Sequence, residues 1–270
     1  DVAFITNTTN LHVKTAIKLA NANIHIFIEK PLSNSTNEIK LLLNIIKKRK
    51  LVTMMGCVLR FHPAIQKIKQ ITSENKIGKI MSVHAENGSF LPDWHPYEDY
   101  KKSYASCNDL GGGVMLTNIH ELDYLYWFFG NVDEVFSITG KFSDLDIDVE
   151  DLSSILLRFK NNIIAEIHLD YFQKPSIRSC KIVGTHGTVY WDSNINNVQL
   201  YDVNKKKWVD KLKLKNYDVN DMYVEEIKHF FKCVNKGEKS INSIEEGAKI
   251  LNIAIAIKKS SKLKKMVIIN

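Results

Sequence analysis

Between Val2 and Val58 the apolar pattern switches repeatedly between strand and helix, and this limits the fold more than any other feature of the chain. Val2 to Ile5 is a short apolar run of the buried-strand kind. Leu11 to Ala22 carries apolar residues at 11, 13, 16, 17, 19 and 20, the spacing of one helix face. Ile24 to Ile28 is a second strand, ended by Glu29-Lys30-Pro31. A helix through Ile39, Leu42, Leu43, Ile45 and Ile46 follows, with Ser33 or Ser35 placed to cap it. Leu51 to Val58 reads as a third strand. Strands joined by helices in this way cross over right-handed and predict a doubly wound parallel sheet.

The texture then changes. Pro63 to Thr72 predicts a short helix and Gly78 to Ala85 a strand, followed by a loop rich in Pro, Trp, His and Tyr. Gly111-Gly112-Gly113 leads into an apolar stretch read as one helix from about Val114 to Phe129, stopped at Gly130. From Val132 to about Val209, alternating runs and turns predict a mostly antiparallel sheet of about six strands. Helices return over Asp221–Val234 and Ser243–Lys259. The expected architecture is α/β plus α+β. Residues 1–60 are part of a Rossmann sheet, and 61–270 a mostly antiparallel, open-faced sheet domain with helices. The last helix is expected to pack back on the first part.

Composition removes several classes of function. The net charge is +7, but only four arginines occur and the lysines are scattered, which argues against a nucleic-acid partner. No apolar run reaches the roughly 18 residues of a membrane-spanning helix, so no membrane partner is expected. Four cysteines without a C-x-x-C pair suit a reducing cytoplasm. No zincin spacing and no G-x-S-x-G elbow occur, so neither a metal site nor a serine nucleophile is expected.

Five motifs, in order along the chain, carry a family resemblance. They are Glu29-Lys30-Pro31; Arg60-Phe61-His62-Pro63; the triple glycine with His120-Glu121-Leu122-Asp123; Gly184-Thr185-His186-Gly187-Thr188; and the helix from Tyr223 to Phe231. Together they resemble the Gfo/Idh/MocA sugar oxidoreductases. The resemblance implies NAD or NADP as cofactor, a sugar-type small-molecule substrate, and a homo-oligomer, dimer or tetramer, formed through the sheet face. That family opens with G-x-G-x-x-G, whereas the glycines here begin at Gly56. Asp1 therefore aligns with the fourth Rossmann strand, and roughly 70 residues are expected to precede it.

The candidate site residues follow. Lys30 ends a parallel strand, where doubly wound sheets place ligands, and beside a substrate hydroxyl its ammonium lowers the cost of an alkoxide. His120 is the candidate general acid/base. On one continuous helix Thr117, His120 and Asp123 share a face, so Thr117 and Asp123 are assigned to orient His120 or the substrate, while Glu121 is read as structural. Thr117 stands where relatives usually carry an Asp. Asn7, Thr8, His12, Glu29, Lys30, Pro31 and Arg60 are the cofactor-side candidates. Trp94, His95, Tyr97, Tyr171 and Arg178 are the substrate-side candidates, since aromatic faces suit sugar rings.

The expected activity is hydride transfer between NAD(P) and a hydroxyl or keto carbon of a sugar, sugar nucleotide or cyclitol. Asp93-Trp94-His95-Pro96 resembles relatives that build surface sugars. Two alternatives stand beside it: a glycosidase or lyase of the same fold that uses NAD transiently, and a non-catalytic sugar- or nucleotide-binding protein.

Overall fold

A computed structural model describes residues 1–269. Strands β1 (Val2–Ile5), β2 (His25–Glu29) and β3 (Thr53–Gly56) alternate with helices α1 (His12–Asn21) and α2 (Ile39–Arg49). They form a parallel sheet in the order β1-β2-β3. The central strand β2 buries Ile26, Phe27 and Ile28 consecutively, as a strand covered on both faces must.

The cap expected for α2 is not made by serine. The residue before Ile39 is Glu38, in the left-handed region and without a side-chain cap bond. The Ser33 hydroxyl instead accepts the Ser35 amide at 3.2 Å, closing a local turn. Serine competes in this way for nearby backbone amides wherever the chain turns.

Helix α3 (Pro63–Ser73) leads into β4 (Ile80–Gly88). The single helix expected over Val114–Phe129 is two helices, α4 (Val114–Thr117) and α5 (His120–Phe129), broken at Asn118-Ile119. The Thr117 carbonyl accepts the Lys30 ammonium at 2.8 Å, the acceptor that an unbroken helix would offer to the amide four residues on.

Strands β5 (Val132–Gly140), β6 (Leu152–Phe159), β7 (Ile164–Asp170), β8 (Ile177–Gly184), β9 (Gly187–Asp192), β10 (Asn197–Asp202) and β11 (Lys207–Lys213) complete most of the second sheet. Helices α6 (Asn220–Lys236) and α7 (Ile244–Leu263) and the short β12 (Val267–Ile268) follow. The sheet runs β11-β10-β9-β8-β4-β7-β6-β5-β12, and only the β4–β7 ladder is parallel. Its strands obey a period of two. In β6, Ser153, Ile155, Leu157 and Phe159 face the helices, while Leu156 and Arg158 face out.

Both tail helices pack against the first sheet. Phe230 of α6 lies 5.6 Å from Phe27 and 5.7 Å from Phe4 between ring centres. The Met55 amide donates to the Asn242 carbonyl at 2.8 Å, and a Cβ at Gly247 of α7 would lie 2.7 Å from Met55 Cγ. The triple glycine joins the two parts from the other side. A Cβ at Gly112 would lie 2.3 Å from the Tyr104 carbonyl, and one at Gly111 2.8 Å from Thr9 Cβ. Only glycine permits this approach. No helix among the described residues is long and apolar enough to cross a membrane.

Candidate active site

The carboxyl ends of β1 and β2 open into a cavity of about 310 Å³, lined by Thr6, Asn7, Thr8, Thr9, His12, Glu29, Lys30 and Tyr104. A larger depression, about 480 Å³ between α2 and the α6–α7 connection, holds none of the candidate residues. It lies at the amino end of β3, away from where parallel sheets bind ligands.

Lys30 follows the last residue of β2 and precedes a cis peptide bond to Pro31. Glu29 is held against the sheet, and a Cβ at Gly56 would lie 2.9 Å from its carboxyl carbon. Burial raises its pKa, opposed by the charge of Lys30. His12 ties the two loops together, with Nδ1 2.8 Å from the Pro31 carbonyl and Nε2 2.9 Å from the Asn7 carbonyl. Only one of the two nitrogens of a neutral imidazole carries a proton, so His12 donates to one carbonyl or the other according to its tautomer and shapes the cavity wall. Asn7 bonds Thr15 and Thr8 bonds Asn10, which orders the same loop.

Across the cavity, the α4–α5 break carries three buried polar atoms with no protein partner: Thr117 Oγ1, Asn118 Nδ2 and His120 Nδ1. Unpaired buried polar atoms are costly, and three within four residues mark a place built for a ligand. Burial holds His120 well below its usual pKa, reinforced by the charges of Lys30 and Arg178. The imidazole is therefore neutral at pH 7 and offers a lone pair. Glu121, read as structural, pairs within the fold. It is fully buried and accepts the Arg178 Nε at 2.8 Å. Burial raises the Glu121 pKa, opposed first by Arg178.

Asp123 is not placed to orient His120. It accepts Arg60 Nε and Nη2, both at 2.9 Å, and both side chains are sealed from solvent. Arg60 also donates to Glu246 at 3.0 Å and to the Ile241 carbonyl, so no part of it faces a cofactor phosphate. The helix break displaces Thr117 from the face of α5, whereas Asp123 stays three residues from His120 on that helix and its carboxylate is taken by Arg60.

The aromatic loop is divided. Trp94 donates its indole N–H to Ser89 at 2.8 Å and stands edge-on to Tyr171, 5.4 Å between ring centres. Tyr171 is fully buried beneath it. His95 and Tyr97 pair with each other on the outside, where Tyr97 is 81% exposed. Tyr104 lines the cavity, and Asn118 and Glu121 join the buried polar groups at the helix break, without having been expected there. Each partnership spans tens of residues or rests on the helix break, so no local pattern announces it.

Residues 1–57 match the model of the oxidoreductase family with an NAD-binding Rossmann fold, and residues 65–190 match the Gfo/Idh/MocA C-terminal domain. The chain belongs to the Gfo/Idh/MocA family. It is similar to a myo-inositol 2-dehydrogenase of Thermotoga maritima, 28% identical over 99% of this chain and 79% of that one. It is also similar to a 2,7-anhydro-N-acetylneuraminate hydratase of Escherichia coli K12, 25% identical over 52% of this chain and 37% of that one. In structure it superposes with a TM-score of 0.90 on a levoglucosan dehydrogenase solved with NADH and levoglucosan. That match is 20% identical and covers 99% of this chain and 80% of the other.

The Gfo/Idh/MocA assignment agrees with the cavity. Threonine hydroxyls, Glu29 and Lys30 stand at the parallel strand ends, where doubly wound sheets bind a dinucleotide. Thr6, Asn7, Thr8, Glu29 and Lys30 are the residues that would hold it.

Proposed function

We propose that this chain carries the catalytic residues of an NAD(P)-dependent oxidoreductase acting on a hydroxyl or keto carbon of a sugar, sugar nucleotide or cyclitol. The observation that carries the reading is the 2.8 Å bond from Lys30 Nζ to the Thr117 carbonyl. It joins the end of a parallel strand to the segment that bears the unpaired His120 Nδ1.

When bound, the nicotinamide dinucleotide supplies the hydride acceptor or donor. His120, neutral in its buried setting, takes the substrate hydroxyl proton at its free nitrogen or returns it in the reverse direction. The Lys30 ammonium stabilises the oxygen as negative charge develops on it. Thr117, with its hydroxyl unpaired, orients a neighbouring substrate oxygen. Asp123 has no part in this chemistry. The dehydrogenases similar to this chain support the substrate class. The outward face of the large sheet, with Phe136, Ile138 and Leu156 exposed, supports self-association through that face.

The test is NADH or NADPH formation with a panel of aldoses, sugar acids and cyclitols. Lys30→Ala and His120→Ala are each expected to lower kcat by about a hundredfold or more, the usual range for a positioned acid/base. A kcat within a few-fold of wild type in both variants sinks the assignment. The similarity to a hydratase supports a second reading, in which the dinucleotide is restored in every turnover. Product formation without accumulation of reduced cofactor would select it.

A further inference from the structure

Two rows of side chains cross the outward face of the large sheet. Strand register places Phe136, Leu156, Glu166, His84 and Lys181 side by side in one row. Ile138, Ser154, His168, Glu86 and Ser179 stand in the other. Where β4 meets β7, histidine and glutamate therefore alternate around a square, and all four line a depression of about 340 Å³. His84 Nδ1 lies 3.4 Å from Glu166 and its Nε2 3.7 Å from Glu86. His168 Nε2 lies 3.2 Å from Asp170, a bond that raises its pKa against the opposing effect of burial. The other charges on this face are Lys181 beside His84, Asp192 of β9 beside Ser179, and the Arg158–Glu134 pair at 3.0 Å between β6 and β5.

The square is complementary to itself. Consider a second copy stacked face to face about a two-fold axis that runs across the strands, midway between the rows. Each row then lies over the other. His84 faces the partner's Glu86 and His168 the partner's Glu166, while Phe136 meets the partner's Ile138 and Lys181 the partner's Ser179. An axis along the strands would instead set the apolar Leu156 over the partner's Lys181. With neutral imidazoles, the stacking gathers four glutamates without counter-charges. With imidazolium, every glutamate has one.

We propose that protonation of His84 and His168 tightens the association of two copies of this chain through this face. The proposal rests on the self-association read above and adds its control. Association that takes up protons strengthens as pH falls and weakens as it rises.

The test is the dimer dissociation constant by sedimentation velocity at pH 8, 7 and 6, with Tm measured at each pH. Kd is expected to fall by about tenfold or more from pH 8 to pH 6, the scale of several exposed ion pairs acting together. His84→Gln with His168→Gln should hold Kd near its pH 8 value throughout. His84→Glu sets two glutamates opposite each other and should weaken the dimer at pH 6. Adding Glu86→His restores the alternation across the axis and should recover it. A Kd that does not move with pH, while Leu156→Asp still abolishes the dimer, overturns the proposal and leaves the sheet-face reading intact. A pH dependence that survives in the double glutamine variant overturns it as well. Monomers at every pH, or a dimer that Leu156→Asp leaves unchanged, overturn both.

Discussion

Two acidic residues of one helix, Glu121 and Asp123, each hold an arginine, and the two pairs differ in almost every other respect. Arg60 is sealed, with Asp123 gripping it at two nitrogens and Glu246 and the Ile241 carbonyl taking a third. Its guanidinium also lies 5.5 Å from the centre of the Trp127 ring. Arg178 gives one nitrogen to Glu121 and is left open on the others. The first arginine has all three of its nitrogens engaged and fastens the segment after β3 to α5 and the tail helices. The second leaves two nitrogens without a partner among the described residues. Completeness of pairing thus separates an arginine that fastens the fold from one that is only partly engaged.

The sharpest way to break that comparison is Arg60→Met, which leaves Asp123 buried and unpaired. A loss of ~3–5 kcal/mol is expected, seen as a fall of roughly 10 °C in Tm. Full stability with impaired cofactor binding would instead put Arg60 in the site.

A third buried carboxyl tests what happens where no arginine is supplied. Glu226 of α6 is 1% exposed and has an unpaired Oε1. Burial, with the neighbouring charges of Glu29 and Asp123, pushes its pKa up to about 9. The folded protein then keeps a proton that the unfolded chain releases near pH 4.5. Stability is therefore present below that value and lost as pH rises toward 9, by roughly 4 kcal/mol between pH 5 and 8. Glu226→Gln removes the loss, so its Tm advantage over wild type should widen from pH 5 to pH 8. An advantage that does not change with pH would mean that Glu226 is ionised in the fold.

The smallest of these effects lies on the acid side. His62 is held at about 4 by burial and by Arg178, so the unfolded chain takes up its proton from pH 6.5 downward and the fold does not. Stability is present above pH 6.5 and falls by about 3 kcal/mol as pH drops toward 4, with His120 acting in the same direction. His62 also caps α3 by accepting the Ala64 amide. Asn at 62 keeps a capping side chain but cannot titrate, so His62→Asn should flatten the loss in urea midpoints between pH 7 and 4.5. An unchanged slope would remove His62 from the account.

Part of the candidate site is legible along the chain itself. Lys30 stands out because a strand pattern ends at Glu29 and places the next residue at a carboxyl edge. His120 stands out through the family motif of a triple glycine and a histidine. The helical spacing holds for His120 and Asp123, both in α5, and fails for Thr117, which lies on the other side of the break. The partners of the arginines were hidden for another reason. Arg60 and Asp123 are 63 residues apart, and Glu121 and Arg178 are 57 apart. His12 lies between main-chain carbonyls of loops on either side, contacts that no spacing along the chain announces.

The sequence by itself determined two sheets of different kinds, the strand end that presents Lys30, and the family. Those properties reside in periodicity and short motifs, set by neighbours along the chain. The tertiary structure alone decided which carboxylate each arginine meets, where the helix breaks, and which polar atoms are left without partners. These outcomes depend on competition among distant groups for a limited set of buried hydrogen bonds, and burial makes each unpaired group too costly to ignore.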